Sequence, residues 1–324
     1  MNNYITKALL KATKAKEIDE VETIQELWSG YGKILRVYLR GSEKKSVIVK
    51  HVRLPKNEKH PRGWNTDLSH QRKIKSYRIE TAWYKEWSSL STDNCKIPQC
   101  LALEKQGDEV IMILEDLKEA GYPFEKTSVN WNEMQSCISW LAYFHGTYLG
   151  EEPHSLWKSG TYWHLATRPD ELRALKDIEL KSAAQAIDTK LRKSPFQTFV
   201  HGDAKLANFC FSEDGKKAAA VDFQYVGGGC GMKDLAYFTG SCLYEDECEA
   251  MEDQILDFYF SNLERATKDN NKNIDFYALE ENWRSLYHVA WADFHRFLKG
   301  WSPGHWKINS YSEKVVKKVI SELN

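Results

Sequence analysis

HGDAKLANF, residues 201–209, sets an Asp at 203, a Lys at 205 and an Asn at 208; AAAVDFQYVGGG, residues 218–229, follows with Asp222 at the end of an apolar run. A bland reading exists: a strand–turn–strand with an Asx turn and no chemistry. It leaves the residue types and their spacing unexplained. Asn208 and Asp222 offer the oxygen donors that a hard cation such as Mg²⁺ prefers, where His or Cys would suit a softer metal. Asp203 is the right type of residue to accept a proton from a hydroxyl, and Lys205 to offset charge developing on a transferred phosphoryl group. The order His201-x-Asp203-x-x-x-x-Asn208, with Asp222-Phe223-Gln224 beginning 14 residues beyond Asn208, follows the H-x-D-x-x-x-x-N and D-F-x spacing of phosphoryl-transfer sites.

Phosphoryl transfer from ATP also needs a cover over the phosphates and a cation beside them. Working upstream, Ser29-Gly30-Tyr31-Gly32-Lys33-Ile34-Leu35-Arg36-Val37 reads G-x-G-x-x-L-x-V between two predicted strands. Gly30 and Gly32 let backbone N–H groups approach phosphate with no Cβ in the way; a plain hairpin turn would use the same residues. Val47-Ile48-Val49-Lys50 ends an apolar run in a Lys, 18 residues after Gly32. That Lys either neutralises the α/β-phosphates or simply guards a strand edge. In the first case it needs a carboxylate from the next helix. Glu80, in SYRIETAWY, is the natural partner and Glu86 the alternative.

The rest of the chain predicts an α+β fold. Residues 1–23 read as a charged helix and a connector. IQELW (24–28), ILRVYLRG (34–41) and SVIVKHV (46–52) are strands of a small antiparallel sheet, with SGYG and GSEKK as turns. Residues 55–75 are basic, aromatic and Pro/Gly-marked, and read as a long loop, either a lid or a solvated connector. In 76–90, Tyr77, Ala82, Tyr84 and Trp87 share a helical face, and EVIMILEDL (109–117) is a buried strand. Beyond 125, Met134, Cys137, Ile138, Leu141, Phe144 and His145 recur at helical spacing. One helix spans 170–192, opened by Pro169-Asp170, and amphipathic helices follow at 246–268, 277–299 and 310–323. The expected division is a β-rich nucleotide-binding part over 1–117 and a helical part over 118–324 that holds the catalytic loop and the acceptor pocket.

These residues resemble the kinase-like small-molecule phosphotransferases, the group with aminoglycoside and choline kinases. HGDxxxxN and D-F-Q, with LEDL (114–117), LAYFHG (141–146) and DLAYF (234–238), look most like the ecdysteroid-kinase-like branch. The resemblance covers about residues 25–240 through spaced motifs. It implies the two-lobed protein-kinase-like fold, with one main helix beside the small sheet and ATP and Mg²⁺ in the cleft. It also implies a hinge at Leu114–Leu117, with Glu115 and Leu117 at the nucleotide, and a structural Asp234 that accepts backbone N–H bonds from the catalytic loop. Leu35 stands where the family's loop has a third Gly. Independently of the resemblance, Asp234 comes 12 residues after Asp222, with no A-P-E and no room for an activation loop. The acceptor is therefore expected to be a small molecule with a hydroxyl group, not a peptide.

Composition excludes other classes. Across 324 residues the formal charge is −1, which makes no field for nucleic acid or an anionic membrane. Seven cysteines, an odd number with no CxxC pair, argue against a disulfide framework and a zinc site. The charged N-terminal stretch is not a signal peptide, and no apolar run approaches the ~18 residues that span a bilayer. A soluble, cytoplasmic protein with reduced thiols is expected, as monomer or dimer. For the acceptor, Tyr287, Trp291, Phe294 or His295, and Leu298 form a stripe that either packs the core or lines the pocket. Asp293 falls off the stripe, and Trp163 and His164 are further candidates. A cage of rings with an acid would suit a choline-like cation, and a flat apolar wall a sterol-like polyol. EDECEAMED (245–253) reads as a solvated helix start, which ranks aminoglycosides below neutral or apolar alcohols. The competing readings are a catalytically silent nucleotide-binding pseudokinase or interaction module, and an antibiotic-inactivating phosphotransferase.

Overall fold

The structure, a computed structural model, describes residues 3–27, 30–53 and 67–323. Five strands form an antiparallel sheet in the order β1-β2-β3-β5-β4: β1 Glu17–Glu26, β2 Gly32–Arg40, β3 Ser46–Arg53, β4 Cys100–Gln106 and β5 Glu109–Glu115. Period-two alternation sorts their side chains. Leu35, Val37, Val47, Val49, Ile111 and Ile113 point to one face, where helix α1 (Asn3–Thr13) covers them with Ile5, Ala8 and Leu9. The opposite face turns Ile34, Ile48, Lys50 and Leu114 toward a cleft. Lys50 therefore sits on the cleft face because it is one residue out of phase with Val47 and Val49. Gly32 has φ +132°, and a Cβ there would lie 1.9 Å from the carbonyl oxygen of His51 on the neighbouring strand. Close strand approach, before any ligand, is what requires that glycine.

Helix α2 (Asp67–Ala82) runs on into a wide π turn, Trp83–Trp87. The helical part contains α3 (Trp131–Thr147), α4 (Pro169–Ala174), α5 (Ile178–Arg192), α6 (Met232–Cys242), α7 (Glu245–Asp269), α8 (Phe276–Trp301) and α9 (Ser310–Leu323). Short strands lie between: β6 (Phe124–Glu125), β8 (Phe209–Phe211) and β9 (Ala218–Ala220) pair as β6-β8-β9, and β7 (Thr198–Val200) pairs with β10 (Gly227–Gly229). The cysteines are all free. Among the described residues, no helix is long and apolar enough to cross a membrane.

The α+β class holds, with its antiparallel N-terminal sheet and helical C-terminal part. Several boundaries differ from the sequence reading. β1 begins at Glu17, inside the stretch read as a connector; its EIDEVETIQE is almost wholly exposed, so no apolar alternation marks it. Trp28, at the end of the predicted IQELW strand, lies outside the described residues. Residues 67–75 of the supposed loop are helical, while 55–66 lie outside the described residues. β4, CLALEKQ, was missed because half-buried residues on both faces mimic neither template. The single helix expected over 170–192 breaks between α4 and α5, where the Asp177 side chain caps α5 at the Leu180 N–H.

The Trp surplus is mostly core. Trp83 stacks on Phe223 at 4.7 Å and Trp140 on Phe144 at 4.9 Å, so the rings around the Asp-Phe-Gln turn are locked into the interior. This apolar mass holds the two quoted segments rigidly against α3.

Candidate active site

The turn after β7 carries His201, Gly202 and Asp203. Asp234, at the start of α6, accepts hydrogen bonds from the backbone N–H groups of both His201 and Gly202. His201 Nε2 lies 3.0 Å from the Val221 carbonyl and its Nδ1 3.2 Å from the Asp203 N–H, so the ring ties this turn to the end of β9. Gly202 has φ +81°, and a Cβ on it would lie 2.2 Å from the Tyr225 carbonyl oxygen. Gly202→Ala is expected to cost about 1–3 kcal/mol in backbone strain alone, with a further loss from the clash, read as a lower urea midpoint.

Asp203 is buried, and its oxygens are spoken for: Tyr237 OH at 3.2 Å, Lys205 Nζ at 3.0 Å and Asn208 Nδ2 at 3.2 Å. Burial pushes its carboxyl above the usual range, Lys205 opposes that, and Asp222 adds to it. Asn208 Nδ2 also bonds the Asp203 backbone carbonyl at 2.7 Å, which commits the amide N–H₂ and leaves its oxygen on the other side. Lys205 thus sits on Asp203, with its side chain 39% exposed to the cleft.

Asp222 follows β9 in a left-handed conformation, φ 70°. Its Oδ1 receives Gln224 Nε2 at 2.6 Å and Lys50 Nζ at 3.2 Å, while 37% of the side chain remains open to the cleft. Burial pushes this carboxyl up, but Lys50 and Lys73 outweigh it and hold it at about 2. Lys50 Nζ lies 2.7 Å from Glu80, and Glu86 is exposed on the π turn, so Glu80 is the partner. Burial alone would lower the Lys50 ammonium; Glu80 and Asp222 reverse that and keep it charged. Lys50→Met strands the Glu80 carboxylate in the interior and is expected to cost about 3–5 kcal/mol of stability, while Lys50→Met with Glu80→Leu recovers most of it. Chemical denaturation of the single and double variants checks both.

Glu115 and Leu117 line the same cleft, beyond Ile48. The Glu115 carboxylate is engaged by Lys96 at 2.7 Å, and Leu117 is buried. Gly30 and Gly32 are not among the cleft residues, although Leu27 and Tyr31 are; Ser29 lies outside the described residues. One cleft of about 1440 Å³ therefore runs from the sheet, past Lys50, Asp222 and Asp203, to aromatic residues of α8. The donor set fits a divalent cation shared with phosphates. Among the described residues no cluster of three or more His, Cys, Asp or Glu could hold a metal alone. Mg²⁺ needs only one or two protein oxygens beside those of phosphates and water, however, and Asp222 and Asn208 are of the type that could offer them.

A model of the ecdysteroid kinase-like family matches residues 31–153 and 158–272. The chain belongs to that family. Among solved structures it is similar to the GDP complex of wild-type aminoglycoside 2'-phosphotransferase-IIIa, at 12% identity with 99% of each chain covered and a TM-score of 0.48. It is similar to the microcompartment-associated aminopropanol kinase at 12% identity, over 99% of this chain and 94% of that one, with a TM-score of 0.49. It is also similar to choline kinase LicA from Streptococcus pneumoniae, at 12% identity over 99% and 97%, with a TM-score of 0.42. No curated protein matches the chain.

In this ecdysteroid kinase-like chain the aromatic stripe divides. Tyr287 and Trp291 are core, while Phe294 and Leu298 line the cleft. Asp293 is neither solvated nor in the cleft: it is buried against Arg296 at 2.9 Å, Lys233 at 3.5 Å and the Trp163 N–H at 3.1 Å. His295 is buried beside Glu313, and neither Trp163 nor His164 is among the cleft residues. The acidic start of α7 is mostly exposed, as its charge run suggested; none of its acids lines the cleft, although Tyr244 just before it packs on Trp306 at 5.7 Å. Sequence reading missed Tyr237, although it lies inside DLAYF. It missed Gln224 as the link between Asp222 and α2, where Lys73 Nζ donates to Gln224 Oε1 at 2.9 Å. It also missed Tyr162, Phe297, Trp301, Trp306 and Lys307, whose convergence no local pattern announces.

Proposed function

We propose that this chain is an ATP- and Mg²⁺-dependent phosphotransferase that moves the γ-phosphate onto a hydroxyl of a small molecule. The observation that carries the reading is convergence: Lys50 from the sheet, and Asp203, Asn208 and Asp222 from two separate turns, meet along one wall of one cleft. Lys50, held by Glu80, neutralises the α/β-phosphates. Gly30, Gly32, Glu115 and Leu117 border the nucleotide. Asn208 and Asp222 would hold Mg²⁺, which when bound offsets phosphate charge. Asp203 accepts the proton from the attacking hydroxyl, and Tyr237 fixes the orientation of its carboxylate. Lys205 leaves Asp203 to meet the negative charge that builds on the transferred group. In this reading residues 1–117 bind the nucleotide and 118–324 supply the catalytic loop and the acceptor pocket. The free cysteines suit a reducing, cytoplasmic setting.

The apolar rings at the far end of the cleft favour an acceptor with an apolar body, and none of the exposed acids of α7 is among the cleft residues. The test is incubation with Mg²⁺, γ-labelled ATP and a fractionated small-molecule extract. A labelled product heavier than its precursor by one phosphoryl group supports the reading. Metal-dependent ADP binding with no labelled product in any fraction would replace it with a silent nucleotide-binding module.

A further inference from the structure

The far end of the cleft is built from rings and a cation, Lys307, that has rings but no carboxylate beside it. Tyr162, Tyr237, Phe294 and Phe297 form its wall, and Trp301 and Trp306, 46% and 52% exposed, stand at its mouth. Exposed Trp side chains flanking a cavity are apolar surface waiting for a ligand. Lys307 lies in the segment between α8 and α9. Its backbone is pinned on both sides: its N–H donates to His305 Nδ1 at 3.2 Å, and its carbonyl accepts from Ser312 Oγ at 3.1 Å. Its ammonium stands 5.0 Å from the centre of the Tyr237 ring, 5.5 Å from Trp306 and 5.8 Å from Phe294.

The other cations at this end have hydrogen-bond acceptors, carboxylates for Arg168 and Lys205 and a carbonyl for Arg72. Arg168 is paired with Glu171 at 3.1 Å, and Lys205 with Asp203 at 3.0 Å. Arg72 donates to the Thr167 carbonyl at 2.8 Å. Among the described residues, no oxygen pairs with Lys307 Nζ. Burial lowers this ammonium to about 8, a cost that the weak attraction of Asp203 does not remove. An anion arriving beside it would reverse that cost.

We propose that Lys307 is the specificity-determining residue of the acceptor site, and that it selects alcohols that carry an oxyanion, a carboxylate, sulfate or phosphate, on an apolar ring body. The rings take the body, the oxyanion meets Lys307, and the hydroxyl is left facing Asp203, which shares Tyr237 with the same wall. The inference rests on the phosphotransferase reading and narrows it: the neutral alcohol expected from sequence gains a negative group.

The test is equilibrium binding to the ADP-loaded protein, read by Trp fluorescence. The probes are hydroxymethylbenzoate, hydroxymethylnaphthoate and cholate, each against its methyl ester. Wild type is expected to hold the anion about tenfold or more tighter than its ester, the size of one charge-assisted hydrogen bond. Lys307→Met, which keeps the apolar stem, is expected to close that gap, and Lys307→Arg to retain it; thermal unfolding confirms that both variants fold. Equal affinity for anion and ester, a gap that survives Lys307→Met, or no binding of any anion would each overturn the proposal. Turnover separates the two readings. Anions that bind but are never phosphorylated would leave the subsite standing and remove the kinase; esters phosphorylated while anions are refused would do the reverse.

Discussion

Asp203→Asn is expected to lower phosphoryl transfer by about 10²–10⁴-fold, the range attributed to a positioned general base. The substitution is nearly isosteric. Tyr237 OH and the Asn208 amide can still meet the side chain from the positions they hold now. What disappears is the carboxylate proposed to accept the hydroxyl proton, a group that burial has already moved toward working pH. Nucleotide affinity is expected to survive, because Lys50 bonds Glu80 and Asp222 rather than Asp203, and Asn208 keeps its bond to the Asp203 backbone carbonyl. Single-turnover transfer and ADP titration on the same preparation check the two halves. Turnover retained in the variant would sink the role given to Asp203.

Asp222→Asn is expected to abolish the Mg²⁺ dependence of nucleotide binding and, with it, transfer. Loss of even an indirect metal partner costs about 10–100-fold in metal affinity, and Asp222 is proposed as a direct ligand. Its carboxylate sits between Lys50 and Gln224 and is ionised across the working pH range. Lys50 keeps Glu80 after the substitution, so the fold is expected to hold and the defect to be confined to the metal. Calorimetric titration of ADP with and without Mg²⁺ reads this directly. A variant whose ADP affinity still rises with Mg²⁺ would move the metal elsewhere.

The two turns were legible because their chemistry is local. Asp203 and Asn208 are five residues apart on one turn, and Asp222 ends a short apolar strand, so spacing alone places them. Lys50 was legible for a related reason: alternation along β3 decides which face it takes. The glycine loop is a different case: Gly32 answers to the His51 carbonyl, and neither Gly30 nor Gly32 is among the cleft residues. The aromatic end of the cleft was not legible. Tyr162, Tyr237, Phe297 and Lys307 come from four separated stretches: α6 and α8 carry Tyr237 and Phe297, while Tyr162 is tied to the Gly202 carbonyl and Lys307 to Ser312. The helical stripe could not say which of its rings faces the cavity, since Trp291 and Phe294 share a face in projection but only Phe294 reaches the cleft. β1 escaped for the opposite reason: an acidic, exposed edge strand buries too little to leave a pattern.

The most direct test of the central claim is transfer of label from γ-labelled ATP to the small-molecule pool, run with wild type and Asp203→Asn side by side at equal nucleotide saturation. The account predicts a labelled product from wild type that the variant fails to make. Equal labelling by both proteins would contradict it.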